Sequence, residues 1–486
     1  MSMFPQNGQL QKDAGLAPFT RLSHQERTTG TGQVALFFVL SSIFISSVAA
    51  AQSYRPPPEK EPESDSALFG ANTTPFTAYM GVDVDGLRHS ALITRENTQI
   101  PVGGDTARTV KVRELDYERY RIRVTPRLNL GFARMIGVYA KVPVVVYDAT
   151  TLHYTKGTDS TNSTIGRDQE PAPVNNIDGW GAIQGSGGNT YDTVNGQLQG
   201  YGFPNRSYND WRFDPANNAG FTGLRAGLDY PTVGVWFAPV SNRSDSTKPT
   251  IRINLDFRVC VALKPMDPSN DSLAENDPGS VADGACRVHV GTYFSKRFLF
   301  LDPYFEANYT FPFKSADAVY GYEPRHDGGF TLGLKIIPWE LPSIGSWFAL
   351  DMHARAHYFS KGRDYSELSD ALRELTYTDE FMRTSFNAGL HYQVFRYMRV
   401  SLVGSFVYDT KHFLTSESVG CDGGCRDPET FPWDYERGAT SDKVELDESA
   451  DERNQFFNPI YDTPGRRFVV DDSYQLRVLA KVAFTF

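Results

Sequence analysis

Past residue 74, this 486-residue chain has no apolar run long enough to cross a bilayer as a helix and no segment of clear helical period. A bundle of membrane helices is thereby excluded. Basic excess is also missing: 48 Lys and Arg stand against 58 Asp and Glu, a formal net charge of −10. With no positive surplus to displace counterions, no nucleic-acid partner is expected. Cysteine is scarce, four in all, and none sits at a zinc spacing with histidines, so neither a metal nor a cofactor is expected. Aromatics, by contrast, are plentiful, with 25 Tyr and 33 Phe, as suits girdles at a membrane interface or any β-rich protein.

The one long apolar run, residues 34–48, lies near the start and is followed by Ala49, Ala50 and Ala51. Arg21 and Arg27 precede it. Positive region, short apolar stretch and small-residue site together predict a signal peptide over 1–51. Residues 52–73, rich in Pro and Glu, then read as a disordered periplasmic tail. Everything from 74 to 486 is expected to form one β-structured unit.

That unit is full of period-two segments, in which alternate residues face opposite sides. Phe76, Ala78, Met80, Val82 and Val84 share a face, as do Tyr120, Ile122 and Val124 against Arg119, Arg121 and Arg123. The clearest interior strand sets Ile251, Ile253, Leu255, Phe257 and Val259 against Arg252, Asn254, Asp256 and Arg258. Another sets Leu350, Met352, Ala354 and Ala356 against Asp351, His353, Arg355 and His357. The count is about twelve, with Pro143 interrupting the third. Connections alternate in length: long ones near 87–115, 148–227, 263–285, 313–327, 361–380 and 411–470, short ones between. This predicts an all-β, transmembrane, antiparallel up-and-down barrel, with short periplasmic turns and long extracellular loops. Lipid cannot satisfy an open strand edge, so such strands must close on themselves.

The last strand alternates from Tyr474 through Phe484 and ends on Phe486. An amphipathic final strand ending on an aromatic resembles the C-terminal signature of Gram-negative outer-membrane β-barrel proteins. The resemblance covers residues 74–486 and implies an outer-membrane location, contact with lipid and lipopolysaccharide, and recognition by the barrel assembly machinery. Residues 229–239 and 248–255, two hairpin strands, also resemble outer-membrane transporters of the phenol-degradation MetA type.

Cys260 and Cys286 flank one loop on neighbouring strands, which predicts a disulfide at its base. Cys421 and Cys425 could close a small local ring. The long 148–227 loop either folds inward as a constriction or caps the surface, and the acidic stretch within 411–470 reads as a solvated charge run.

The interior charges are the candidate site. Asp83 and Asp85 neighbour Arg119, Arg121 and Arg123, and closure brings Arg477 and Lys481 to the same two aspartates. This ladder is either structural or the wall of an anion-attracting channel. His353 and His357 share a face, but roughly 13 Å apart at about 3.3 Å per residue they cannot hold one ion alone. No serine-hydrolase arrangement is visible: His89-Ser90 is expected in a loop without a partner, and His326-Asp327 is a faint candidate for an omptin-like protease. His289 and His391 are expected to point inward. The expected function is passive or facilitated diffusion of a small solute, anionic or aromatic, with no enzyme activity. The alternatives are a non-conducting barrel that binds a partner through its loops and an outer-membrane hydrolase.

Overall fold

The computed structural model describes residues 76–486 apart from 100–107, 133–134, 160–161, 168–191, 195–196, 200–210, 214–219, 242–246, 261–262, 342, 396, 419–453, 459 and 463. The expected signal peptide, the tail, Cys421, Cys425 and the acidic run of the last loop lie outside the described residues.

Twelve staves close an antiparallel barrel: β1 (Phe76–Gln99), β2 (Arg108–Phe132), β3 (Ile136–Lys141 and Val144–Tyr154), β4 (Phe221–Leu228 and Thr232–Val240), β5 (Thr250–Arg258) and β6 (Ala285–Ser295). They continue with β7 (Leu301–Lys314), β8 (Asp327–Leu341), β9 (Ser346–Phe359), β10 (Phe381–Phe395), β11 (Met398–Asp409) and β12 (Phe468–Thr485). Each pairs with its sequence neighbours, and β1 pairs with both β2 and β12, so no edge is left. At the seam the main chain of Phe486 exchanges two hydrogen bonds with Ala78, of 2.9 and 3.2 Å.

The two halves of β3 and β4 reflect proline. Pro126, Pro143 and Pro231 have no N–H to give, so the ladder breaks beside them. Their carbonyls still accept, from Val142, Asp229 and Val259 at 3.1, 3.0 and 2.8 Å. The wall stays hydrogen-bonded across three strands while two of them restart.

Outward-facing residues are apolar and exposed, among them Met80, Val82, Ile122, Leu402, Leu476 and Val478. Exposed tyrosines 120, 309, 358, 408 and 474 ring the long-loop end, and Phe76, Phe132, Trp339, Tyr392, Tyr397 and Phe484 ring the other. From Tyr474 to Phe484 the strand rises about 33 Å, which at the usual tilt of about 40° gives a belt about 25 Å tall, the height lipid requires. An exterior of this kind is tolerable only in a membrane. The chain is a transmembrane barrel of the Gram-negative outer membrane, as its strand pattern indicated.

Several boundaries differ from the sequence reading. Residues 87–115 are mostly not a loop: β1 runs to Gln99 and β2 starts at Arg108. His89-Ser90 therefore lies in a strand, not in a loop. Likewise β3 continues to Tyr154 and β4 begins at Phe221, which shortens the large loop at both ends. These extensions rise above the lipid belt, where the outer face need no longer be apolar, so the alternation that marked the strands fades. The loops also hold single helical turns, α1 (Thr164–Arg167) and α2 (Ser369–Leu372).

Candidate functional site

Within the lumen, the inward residues of β1, β2, β3 and β12 form a ladder of ion pairs. Arg477 grips Asp85 through two bonds of 2.5 and 2.9 Å, and Arg123 reaches the same carboxylate at 3.0 Å. Arg119 makes a bidentate pair with Asp148 at 2.6 and 2.5 Å. Asp83 pairs with Arg127 at 3.2 Å and stands opposite Lys481 in the β1–β12 register. Of the five cations that the sequence reading brought to Asp83 and Asp85, Arg123 and Arg477 meet Asp85, whereas Arg119 goes to Asp148 and the pair to Asp83 comes from Arg127, neither of which was foreseen. Asp148 had been placed at the edge of a loop, and only the longer β3 turns it inward.

The pairs made by Asp148, Asp85 and Asp409 share an asymmetry, whereas in Asp83–Arg127 the arginine, 7% exposed, is more buried than the aspartate, 16% exposed. The carboxylates of Asp148, Asp85 and Asp409 are 5%, 3% and 2% exposed, whereas Arg119, Arg123, Arg477 and Arg383, which cover them, are 28–34% exposed. Space accessible to water therefore reaches into the lumen, and there it meets guanidinium groups while the carboxylates lie against the wall. Arg121 stands between Arg119 and Arg123 on the same face. Its Nε is buried without a hydrogen-bond partner, and no carboxylate among the described residues pairs with it.

The opposite wall is more nearly neutral. Asp351 accepts a 2.9 Å bond from Tyr304 and lies 3.4 Å from His391 and 3.7 Å from His353. Asp256 takes the Tyr139 hydroxyl and lies 3.3 Å from His289. Tyr139 reaches it by crossing Gly234, where a Cβ would stand 2.4 Å from the ring. Arg252 donates to Asn254 at 2.8 Å, Arg258 bridges Asp229 and Asp283, Arg355 donates to Thr331 at 3.2 Å, and His357 lies 3.8 Å from Asp327. His353 and His357 thus have separate carboxylate neighbours, and among the described residues no three potential ligands gather into a metal site.

Above the charged zone the inward faces turn apolar. Ile93, Leu115, Tyr117, Leu152 and Phe468 of the strands pack with Ile165, Phe213, Leu368, Leu372, Leu414, Ile460 and Tyr461 of the loops into one buried core. Loops from several hairpins thus fold together as a cap over the outer end. Buried polar contacts pin it. Glu114 accepts from Ser163 and Thr164, Arg225 binds Asp370 and Asp271, and Arg363 makes a bidentate pair with Glu417 at 2.8 and 2.7 Å. Arg95 donates to the carbonyls of Ile460 and Arg466 at 2.6 and 2.8 Å. Between the two possibilities left for the largest loop, its described parts join this inward-packed cap. Cys260 and Cys286 form the expected disulfide, with Cα atoms 4.8 Å apart. Burial pushes the Asp283 carboxyl, beside that bridge, up to about 6, and raises Glu417 and Asp462 within the cap.

The hydrolase candidates do not assemble. His89 bonds Ser473 at 2.9 Å, but Asp409 contacts that same serine at 3.2 Å. A triad needs the imidazole between the other two. His326 and Asp327 turn to Tyr309 and Thr310 respectively.

No protein-family model matches this chain, and no curated protein matches it either. The MetA-type resemblance therefore gains no support. Among solved structures, the COG4313 outer membrane channel from Pseudomonas putida F1 aligns over 87% of this chain and 100% of its own, with 7% identity and a TM-score of 0.40. The outer membrane protease OmpT from Escherichia coli aligns over 85% and 98%, with 8% identity and a TM-score of 0.27. The CymD monoaromatic hydrocarbon channel aligns over 84% and 88%, with 9% identity and a TM-score of 0.28. At these values none of them bears on what this barrel does.

Proposed function

We propose that this barrel is an outer-membrane channel that favours small anions, covered on its outer side by a loop cap that opens intermittently. The supporting observation is the asymmetry at three lumenal carboxylates, Asp148, Asp85 and Asp409: the acids are buried and their guanidiniums accessible. A plugged barrel would bury both partners, since an isolated buried charge is costly and a structural pair gains nothing from water. Here the arginines on Asp148, Asp85 and Asp409 remain at the surface of the lumen. Fixed cations along a narrow, low-dielectric passage concentrate anions and exclude cations.

Permanently charged aromatic solutes of similar size test the reading without leakage through lipid. Tracer efflux from proteoliposomes is expected to be faster for benzenesulfonate than for benzyltrimethylammonium. Equal rates would remove the charge preference, and no efflux of either would remove the channel.

A further inference from the structure

Among the lumenal cations, Arg121 alone combines three properties. It lies between two arginines that each have a carboxylate, its own Nε is buried without a hydrogen-bond partner, and among the described residues it makes no direct ion pair, Asp148 and Asp85 acting on it only from a distance. Alternate residues on a strand stand about 6.6 Å apart, so three guanidiniums crowd one side of the lumen. Two are held in direct ion pairs from the wall, and the middle one shares their carboxylates only at longer range. A guanidinium crowded by two like charges and without a direct partner is a cost to the fold that a bound anion would lower.

The neighbourhood is not uniformly polar. Leu87 stands beside Arg121 in the β1–β2 register and faces inward with Asp85. Leu479 lies opposite Asp85 in the β1–β12 register, also on the inward face, and Val403 stands beside Leu479 on β11. A strip of three apolar side chains therefore lies on this part of the lumen, crossed between Leu87 and Leu479 by the Arg477–Asp85 pair. In an otherwise charged wall such a strip has no partner in the ladder.

We propose that Arg121 is the docking residue for a small organic monoanion, its carboxylate on the guanidinium and its apolar body along Leu87, Leu479 and Val403. This rests on the channel reading above and names the solute class that reading leaves open. Arg suits the role because its planar fork matches a carboxylate with two parallel bonds. The flanking Arg119 and Arg123, already engaged, add long-range attraction without competing for the same oxygens.

Equilibrium binding separates this site from conduction. Fluorine NMR titration of the purified full barrel in detergent with 4-fluorobenzoate is expected to saturate, and Arg121→Gln to weaken affinity about tenfold or more, the size of a lost charge-assisted hydrogen bond. Arg121→Lys, which keeps the charge but not the fork, is expected to fall between, and serves as the readout should the glutamine variant fail to fold. Leu87→Asn is expected to weaken 4-fluorobenzoate while leaving fluoroacetate unchanged. Wild-type affinity in both Arg121 variants would overturn the proposal. So would equal binding of 4-fluorobenzyl alcohol, because the carboxylate would then be unread. A barrel that conducts but does not bind overturns the site alone, and one that binds but does not conduct overturns the channel alone.

Discussion

Arg477 and Asp85 meet across the seam where the last strand joins the first, with the arginine 32% and the aspartate 3% exposed. The pair does two things: it fastens the closure of the barrel, and it leaves a cation on the lumenal surface. Arg123 shares the same carboxylate from β2, so one buried anion organises three strands.

Asp85→Asn should therefore cost stability and alter selectivity together. Two partly exposed guanidiniums lose their counter-charge, and solvent screening moderates the penalty to about 2 kcal/mol. Urea unfolding in lipid vesicles would measure it. Anion preference in the same variant is expected to rise, since the wall loses a negative charge and keeps its positive ones.

The cap should loosen when Arg363 is changed to Gln. Glu417 would then be buried without its bidentate partner, a local cost of about 3 kcal/mol. Hydrogen exchange over 411–418 and 454–462 is expected to accelerate while the strands keep their protection. Open-channel events should become more frequent in the same variant.

Acidity should tighten the cap. Asp283 has its carboxyl raised to about 6 by burial, with Glu417 and Asp462 raised as well. A raised acid binds its proton more firmly in the closed cap than in a released one. Stability is therefore present below the ordinary carboxylate range and lost as pH rises from about 4 through about 6. Protease nicking of the loops is expected to be slower at pH 5 than at pH 7.5. Faster nicking at pH 5 would mean that lost pairing with Arg258 and Arg363 outweighs the burial.

Cys260 and Cys286 close a loop of 26 residues by sequence separation, for which chain entropy gives about 3 kcal/mol. Reduction, or the double change to Ser, is expected to expose the segment 263–284 to protease with the barrel itself intact. Unchanged protection would show that the Arg258–Asp283 and Arg225–Asp271 contacts hold the loop unaided.

The wall was legible in the sequence because its rule is local. Lipid on one side and charge on the other force strict alternation, and Ile253, Phe257, Arg252 and Asp256 show it without any neighbour being known. The cap was not legible for the same reason reversed. Once β1 and β2 rise above the belt, Ile93 and Leu115 face an apolar core of loops, and their polar neighbours Thr94, Arg95, Glu96 and Glu114 are buried as well. Polar and apolar residues are buried side by side, the alternation fades, and the stretch reads as a loop. Asp148 was missed because a bulge at Val146 and Tyr147, both exposed, breaks the alternation just before it. Long-range meetings such as Leu152 with Ile460 and Phe213 leave no local trace in composition or spacing.

Reversal potentials of the purified barrel in planar bilayers under a potassium chloride gradient test the central claim most directly. Stable conductance steps with chloride favoured over potassium, the preference falling when Arg119, Arg121 and Arg123 are changed to Gln, are what this account predicts. A folded barrel that stays silent, or one that prefers potassium, would contradict it.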